Sequence, residues 1–587
     1  MMHDQYQLAA QLDQQFGDPA LSSNLFSRAT AMKLDEADAF PEAEVSRLHN
    51  LGLHQVYVPE QLGGRFVSAE AFVALGRVLA RRNMSVAVSY STMLWTMLAW
   101  IGGNHEQKQK IAKWVLETGE FPCLAYSEKT HGADLIANEL TAEPQADGSY
   151  QLNGEKWPIN RATRSGFLVL LAKVKKDQSL RNHSLFIVNK RELDCRQYYH
   201  LPRVKTHGLR GCDISGVGFK NARMPESARI GQEGHGLELA LKGFQITRTF
   251  CTALSLGVGD SALRLVMQFA LERQLYNGRM SELPHTRETL ANAYLSQLLA
   301  ETVSVISARG LHLFPRQFSS WSSVAKVQCT YLVDFACQKL ASLLGARYFM
   351  REEHCDGIFQ KFLRDGAIVS VFDGSSIICL DSLATLLPGI AKSRALNAGK
   401  ISDDEIRCLF DLQAALPPFP FDSFELHGRG RDAVAECLPQ LISVLQTEST
   451  GRPQCVTTKK IITHAQKLLQ RLEQLEAEIL STEVVRGERN SPQQFAFAER
   501  YCAIHSCICA LGFWICNRGR LNDFANDGVW LLAILERGGV PDFHTGGLQT
   551  AHTELLFGQL LHQYKQSHMF SLIPWQLARD GQTEQIS

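Results

Sequence analysis

The sequence predicts a multidomain, mainly helical protein with one central β domain, and three observations predict it. Helical hydrophobic periodicity fills residues 1 to about 120 and returns after Gly236. Between them, from Cys123 to about Pro225, short β-rich runs alternate with turn residues. A chain of 587 residues also exceeds what one core organises and has room for three or four domains. The boundaries read as an N-terminal helical domain (1–120), a β domain (121–230), a four-helix bundle (231–398) and a C-terminal helical extension (399–587).

Taken in order, Pro41 to Leu53 is amphipathic through Val45, Leu48 and Leu51. Val56 to Glu60 reads as a short extended piece before a turn at Gly63-Gly64. Ala71–Leu79 and Val86–Ile101 are dense enough in apolar residues for buried helices, and His105–Glu117 is an amphipathic helix stopped at Gly119. Strand-like runs follow at Cys123–Tyr126, 140–142, 150–152, 167–174, 184–188 and 217–219, with turns at Asp147-Gly148, Asn153-Gly154 and Asn182-His183. Helices are then predicted from Leu237 to Tyr276, Thr289 to Leu313, Ser322 to Leu344 and Ser376 to Leu387, which suggests a bundle. Pro417-Pro418-Phe419-Pro420 is a stiff connection. Ala465, Leu468, Leu472, Leu475 and Ile479 form an a/d seam, and the chain reads as mostly helical to about Ala578.

Composition narrows the function classes. Lys+Arg and Asp+Glu balance at 60 each, so no global field draws nucleic acid or anionic lipid. The start Met-Met-His-Asp-Gln-Tyr has neither signal nor transit character, and a cytoplasmic location is expected. The apolar segment Tyr501–Cys516 is short for a bilayer span and contains His505 and Ser506, so it reads as a buried helix. Fifteen scattered cysteines fit reduced thiols, and Cys502, Cys507, Cys509 and Cys516 lack zinc-ligand spacing. Neither a His-Glu-x-x-His set nor a Gly-x-Ser-x-Gly elbow is present, so no metal site is expected. Gly231 to Gly236 has Gly-x-x-Gly-x-Gly spacing but does not sit in a βαβ unit, which excludes a dinucleotide fingerprint.

The stretch from Arg364-Asp365 to Asp373-Gly374-Ser375-Ser376 carries one carboxylate between two apolar runs, Asp373. Burial there raises a carboxyl pKa and suits a general base. Asp-Gly-Ser is also good chemistry for a helix N-cap, and on these residues alone the cap is the favoured reading. Ser127 to Asp134 is a polar loop whose N–H groups and hydroxyls suit a flat polar ring, or simply a loop.

These stretches, in this order, resemble the acyl-CoA dehydrogenase family. Pro59-Glu60-Gln61-Leu62-Gly63-Gly64 is similar to its Pro-Glu-x-x-Gly-Gly turn, and Ser127-Glu128 with Gly132-Ala133-Asp134 to its Thr-Glu-Pro-x-x-Gly-Ser-Asp loop. Leu152-Asn153-Gly154-Glu155-Lys156, Gly208-Leu209-Arg210-Gly211-Cys212-Asp213 and Glu272-Arg273-Gln274-Leu275-Tyr276 resemble further family stretches. Phe372-Asp373-Gly374-Ser375 resembles Tyr-Glu-Gly-Thr. The matches cover about residues 40 to 395. The resemblance implies an acyl-CoA dehydrogenase-like fold plus an extra C-terminal helical domain like that of the very-long-chain members.

It also implies FAD and α,β-dehydrogenation of an acyl thioester, on CoA or an acyl carrier protein. Asp373 would be the α-proton base, flavin N5 the hydride acceptor, and the Asp373 N–H one donor to the thioester carbonyl. FAD would be bound by Ala125, Tyr126, Ser127, Ala133, Ile159, Asn160, Tyr276 and Gly345, with Ser375 at its dinucleotide part and Arg273 at the pyrophosphate of a neighbouring subunit's FAD; without the family, Arg273 is a surface charge. Ala133, Gln245, Arg248 and Gly374 would face the substrate. Implied partners are an electron acceptor such as an electron-transfer flavoprotein and a second copy in a homodimer; peripheral membrane contact through the C-terminal helices stays open.

The chain departs from the pattern in several places. The base is Asp rather than Glu, about 1.3 Å shorter in reach, and the alternative base position is Thr247. Pro158-Ile159-Asn160 replaces Trp-Ile-Thr, Ala133 a Ser, Gln245 an Asp, and Ala346-Arg347-Tyr348 stands where the family's Gly-Gly-x-Gly usually lies. A same-fold oxidase reacting with O2, or a scaffold without chemistry, remain alternative readings.

Overall fold

A computed structural model describes residues 4–174, 181–396, 401–449, 456–483, 490–540 and 547–579. The N-terminal domain holds α1 (Asp4–Phe16), α2 (Arg28–Glu36), α3 (Glu42–Asn50), α4 (Ala69–Arg82), α5 (Met84–Ser91), α6 (Met97–Gly102) and α7 (His105–Thr118). Their ends follow local chemistry. Ser68 caps α4 by accepting from the Ala71 N–H, and Asn104 with Gln107 forms a reciprocal box at the start of α7. Of the expected extended piece at Val56–Glu60, Val58 and Pro59 are extended and Pro59 bridges Phe66, while 3-10 turns at Leu53–Tyr57 and Glu60–Leu62 flank them, between the left-handed Gly52 and Gly63.

The β domain contains β1 (Pro122–Ala125), β2 (Thr141–Pro144), β3 (Tyr150–Asn160), β4 (Phe167–Lys173), β5 (His183–Asn189), β6 (Tyr198–Leu201), β7 (Ile214–Met224) and β8 (Arg229–Ile230). They form one sheet in the order β6-β7-β3-β2-β4-β5-β8, with β1 parallel to β4. Strand β4 reads Phe-Leu-Val-Leu-Leu-Ala and is buried along that run, as a strand covered on both faces should be. At Gly154 the β3–β7 register shifts; φ is +125° there and an added Cβ would lie 2.9 Å from Leu140 Cα. Strands β6 and β8, short and half exposed or two residues long, carry no periodic signal and were not expected.

The bundle is built on α8 (Gly236–Glu272), followed by a small hairpin of β9 (Gln274–Leu275) and β10 (Gly278–Arg279). Next come α9 (Pro284–Leu313), α10 (Phe318–Leu344), α11 (Ile358–Gly366) and α12 (Ser376–Ala395). Met84–Gly102 and α8 are apolar enough to cross a membrane, but 89% and 94% of their apolar windows are buried inside the protein; α12 shares the composition with 39% buried. An all-round apolar helix of a folded domain is a core helix, and α8 is one.

The extension adds α13 (Asp403–Phe410), α14 (Ala433–Ser449), α15 (Val456–Ser481), α16 (Pro492–Asn517), α17 (Asp523–Asp527), α18 (Val529–Arg537) and α19 (Thr550–Lys565). The seam residues Ala465, Leu468, Leu472, Leu475 and Ile479 are all buried, and the Tyr501–Cys516 segment lies inside the buried helix α16. Every cysteine among the described residues is free.

Beyond Lys565 the expectation of helix fails. Residues 566–578 form an irregular strap across the bundle and the N-terminal domain. Its backbone N–H groups at Phe570, Leu572 and Ala578 donate to the buried carboxylates of Asp260 (3.0 Å), Glu301 (2.7 Å) and Asp13 (2.8 Å). The same carboxylates pair with arginines of α4: Arg81 Nε to Asp260 at 2.7 Å, Arg82 to Asp13 at 2.8 Å and Arg77 to Glu301 at 2.5 Å. Burial pushes the Asp13 and Asp260 carboxyls up. Arginines (Arg82 and Arg81 at Asp13, Arg264 and Arg81 at Asp260) and the strap N–H groups outweigh it and hold both below the usual range.

Candidate active site

Asp373 lies where α11 has unwound through a 3-10 turn, Ala367–Ser370, and before α12 starts. The cap of α12 is Ser375, whose hydroxyl accepts from the Ile378 N–H at 3.3 Å. The N-cap alternative for Asp373 is thereby corrected: Asp373 is two residues too early and sits at φ +55°, outside the extended conformation of an N-cap. Asp is among the residues that tolerate this left-handed region.

The Asp373 side chain is buried against α8. Its Oδ2 is 3.8 Å from the Cys251 thiol, and Arg248 Nε donates to its carbonyl oxygen at 3.1 Å. Gly374, at φ +85°, leaves room for that guanidinium: an added Cβ would come 2.6 Å from Arg248 Nη2. From α10, Lys326 Nζ donates to the Phe372 carbonyl and lies 4.8 Å over the Phe372 ring. Burial raises the Asp373 carboxyl above its ordinary value; the Lys326 charge, the Thr247 hydroxyl and Arg248 oppose burial without cancelling it. Burial likewise pushes the Cys251 thiol up to about 12.

A cavity of about 860 Å³ opens beside Asp373, between the β domain and the bundle. Tyr126, Ser127, Ala133, Ile159 and Asn160 line its β-domain wall, and Arg248, Asp373, Gly374 and Ser375 line its bundle wall. Tyr126 meets Phe244 edge-on at 5.4 Å, and Phe244 meets Trp95 at 5.8 Å, so three rings close one side. Asn160 Nδ2 donates to Val88 O at 3.1 Å, while Oδ1 is buried with no partner. Arg364 also lines the cavity and pairs with Asp35 at 2.6 Å, whereas Asp365 accepts from the Leu209 N–H at 2.7 Å. The Arg-Asp pair therefore joins the N-terminal domain, the β domain and the bundle.

The loop after β1 is pinned by a buried ion pair. Glu128 contacts Lys156 Nζ at 2.8 Å and accepts from the Glu139 and Leu140 N–H groups at 2.7 and 3.0 Å. Lys156 Nζ also donates to Tyr126 O at 3.1 Å. Burial draws the Lys156 ammonium down to about 8 against the pull of Glu128. At Glu128, burial is outweighed by Lys156 and the N–H donors, and its carboxyl stays low.

The remaining expected residues fall elsewhere. Ala125 is buried in the β-domain core on β1 rather than in the lining. Gln245 is buried but does not line the cavity: its Nε2 donates to Glu425 O at 2.8 Å, because the extension brings a carbonyl to its end of α8. Arg273 caps the C-terminal end of α8, Tyr276 is 88% exposed in the β9–β10 hairpin, and Gly345 ends α10; none of the three lines the cavity. Sequence reasoning singled out Thr247 only as an empty base position and missed Cys251, which lies one helical turn from it (i, i+4) on α8. It also missed Lys326, a lone cation in Ser-Val-Ala-Lys-Val, and Glu128–Lys156, both of which lie in quoted motifs.

Comparison with known proteins gives a consistent family. Residues 25–118, 123–222 and 234–387 match the N-terminal, middle and C-terminal domains of acyl-CoA dehydrogenase. Human mitochondrial short-chain specific acyl-CoA dehydrogenase is 24% identical over 354 residues, 59% of this chain and 83% of that protein. Among solved structures, butyryl-CoA dehydrogenase from Megasphaera elsdenii superposes with a TM-score of 0.61 at 18% identity, over 66% of this chain and 99% of the other. An acyl-CoA dehydrogenase from Bacillus anthracis, complexed with FAD, reaches 0.67 at 16% identity over 96% of this chain and 91% of the other. The fold likeness therefore extends through the C-terminal helices.

Proposed function

The chain belongs to the acyl-CoA dehydrogenase family, and from that premise we propose that it oxidises an acyl thioester to the α,β-enoyl thioester, with Asp373 as the base. The observation that carries this reading is the buried Asp373 carboxyl, raised by desolvation and opening on a cavity large enough for a ring system and a thioester.

FAD is the cofactor of this family, and the lining fits it. The β-domain wall offers the Tyr126–Ser127 backbone, and Asn160 supplies an acceptor that no protein donor uses. Pro158 gives this wall less ring surface than a Trp would. When bound, the flavin supplies the acceptor for the β-hydride.

The other steps rest on this chain's residues. Asp373 takes the α-proton, and Thr247 and Cys251 hold its carboxylate. The Asp373 N–H has no acceptor among the described residues and is available to the thioester oxygen. Trp95, Phe244 and Tyr126 keep water from the reacting carbons. The thioester is on CoA or a carrier protein, and an electron-transfer flavoprotein reoxidises the enzyme. The surface positions of Arg273, Tyr276 and Gly345 support a homodimer in which they serve the partner's cofactor.

The test is anaerobic bleaching of the bound flavin. An acyl thioester should bleach the wild-type protein, and Asp373→Asn should keep the yellow colour while slowing bleaching at least about 10³-fold. Equal rates in the two proteins would remove Asp373 as base, and a colourless preparation would favour the scaffold reading. Peroxide formation without an added acceptor would move the assignment to an oxidase.

A further inference from the structure

Lys326 is 1% exposed on α10, and among the described residues no carboxylate forms an ion pair with it. A buried ammonium without a paired ion is expensive to keep. Its hydrogen bond and ring contact are at one place, Nζ donating to the Phe372 carbonyl and lying over the Phe372 ring, and its charge also acts on the adjacent Asp373 carboxyl.

That carbonyl belongs to the trans peptide that also carries the Asp373 N–H. In a planar trans peptide the C=O and the N–H point in opposite directions. A carbonyl drawn toward α10 therefore turns the N–H away from α10. The cavity lies on that other side, because Phe372, Asp373 and Gly374 line it and no residue of α10 does. The N–H has no protein acceptor, and buried amides left without one are rare. Arg248 grips the next carbonyl, that of Asp373, at 3.1 Å. Cations on two successive carbonyls fix the left-handed turn at Asp373.

Resting on the reading of Asp373 given above, we infer that Lys326 is a positioning residue, which aims the Asp373 N–H at the carbonyl oxygen of the bound thioester. Lys326 touches neither substrate nor cofactor. Its contribution is to preorganise one donor, so that no backbone rotation is needed as charge develops on the oxygen.

The test uses the full-length holoprotein carrying Asp373→Asn, in which the thioester is not consumed. Butanoyl-CoA labelled with ¹³C at the carbonyl is bound, and its stretching frequency is read by infrared difference spectroscopy. The bound carbonyl should move to lower frequency than the free one. Adding Lys326→Met should remove at least about half of that displacement, and Lys326→Arg should retain it. With Asp373 intact, Lys326→Met should lower kcat by about 10- to 100-fold with little change in KM, as loss of a transition-state interaction does. If the Met variant loses its folded circular dichroism spectrum, Lys326→Gln replaces it with the same two outcomes. An unchanged frequency in the Lys326 variant overturns the inference. The absence of any displacement in Asp373→Asn alone overturns both it and the role given to the Asp373 N–H.

Discussion

Gly374→Ala is the substitution whose effect the geometry fixes most closely. The added Cβ would stand 2.6 Å from Arg248 Nη2, closer than such atoms approach, and 3.3 Å from its Cζ and Nε, a tight contact. Arg248 is 7% exposed but lines the cavity, so its guanidinium is displaced into that space. An L-residue in the left-handed region also costs about 1–2 kcal/mol. If the guanidinium moves, its hydrogen bond to Asp373 O is lost, and a bond from a charged donor contributes roughly 1.5–3 kcal/mol. The two losses have different readouts. The backbone strain appears as a Tm lower by a few degrees at most. The lost bond frees the peptide beside the base and should slow anaerobic flavin bleaching by about 10- to 150-fold. Gly558→Ala, on the surface of α19 where an added Cβ meets nothing within 4 Å, is the control and should leave bleaching unchanged without lowering Tm. Wild-type bleaching and Tm in Gly374→Ala would refute the packing of Arg248 on this turn.

Four other outcomes follow from the contacts described above. Because burial raises the Asp373 carboxyl, the acid limb of kcat should lie above the ordinary carboxylate range, the rate falling as pH falls through it; a limb at the ordinary value, measured by single-turnover bleaching, would contradict this. Stability should follow the opposite sign at different groups. A raised Asp373 favours the fold at low pH and loses that contribution as pH rises through its folded value, whereas the lowered Asp13 and Asp260 stabilise above their unfolded value and lose it as pH falls through their folded one, so acid unfolding monitored by circular dichroism should weaken in Asp13→Asn and Asp260→Asn. Lys156→Met should cost about 3–5 kcal/mol by leaving Glu128 buried and unpaired, and should loosen the 127–140 loop enough to release flavin at lower denaturant; an unchanged flavin affinity would count against the staple. Glu301→Gln should cost about as much by breaking the Arg77 pair, and should expose the 566–578 strap to protease, read by scanning fluorimetry and limited proteolysis.

The sequence made the helices legible wherever burial is one-sided or complete. Strand β4 and helix α8 are apolar because neighbours cover them, and that signal is local. The seam from Ala465 to Ile479 was legible for the same reason. Other features depend on partners remote in the chain. Gln245 faces Glu425 rather than a substrate only because the extension crosses α8 there. Val56–Glu60 has strand-like residues, but only Val58 and Pro59 stay extended, between turns that follow the left-handed Gly52 and precede the left-handed Gly63. The choice between Asp373 and Ser375 as helix cap turned on one dihedral angle, which composition does not encode. Lys326 was visible as a charge in an apolar run, yet its purpose appears only once α10 lies against Phe372.

The 566–578 strap has a consequence for the order in which the molecule is made. Its bond from Phe570 to Asp260 spans 310 residues, and that from Ala578 to Asp13 spans 565. At about 5–20 residues per second, the ribosome needs roughly 15–60 s to travel from Asp260 to Phe570. Throughout that interval Asp13, Asp260 and Glu301 have arginines but not the amides that complete their shells. Such long closures come late in folding. Until then the long helices present apolar faces and half-satisfied carboxylates, a state that invites chaperone binding or misassembly. The bundle that carries the reactive carboxylate is thus completed by a late-synthesised segment that never approaches it.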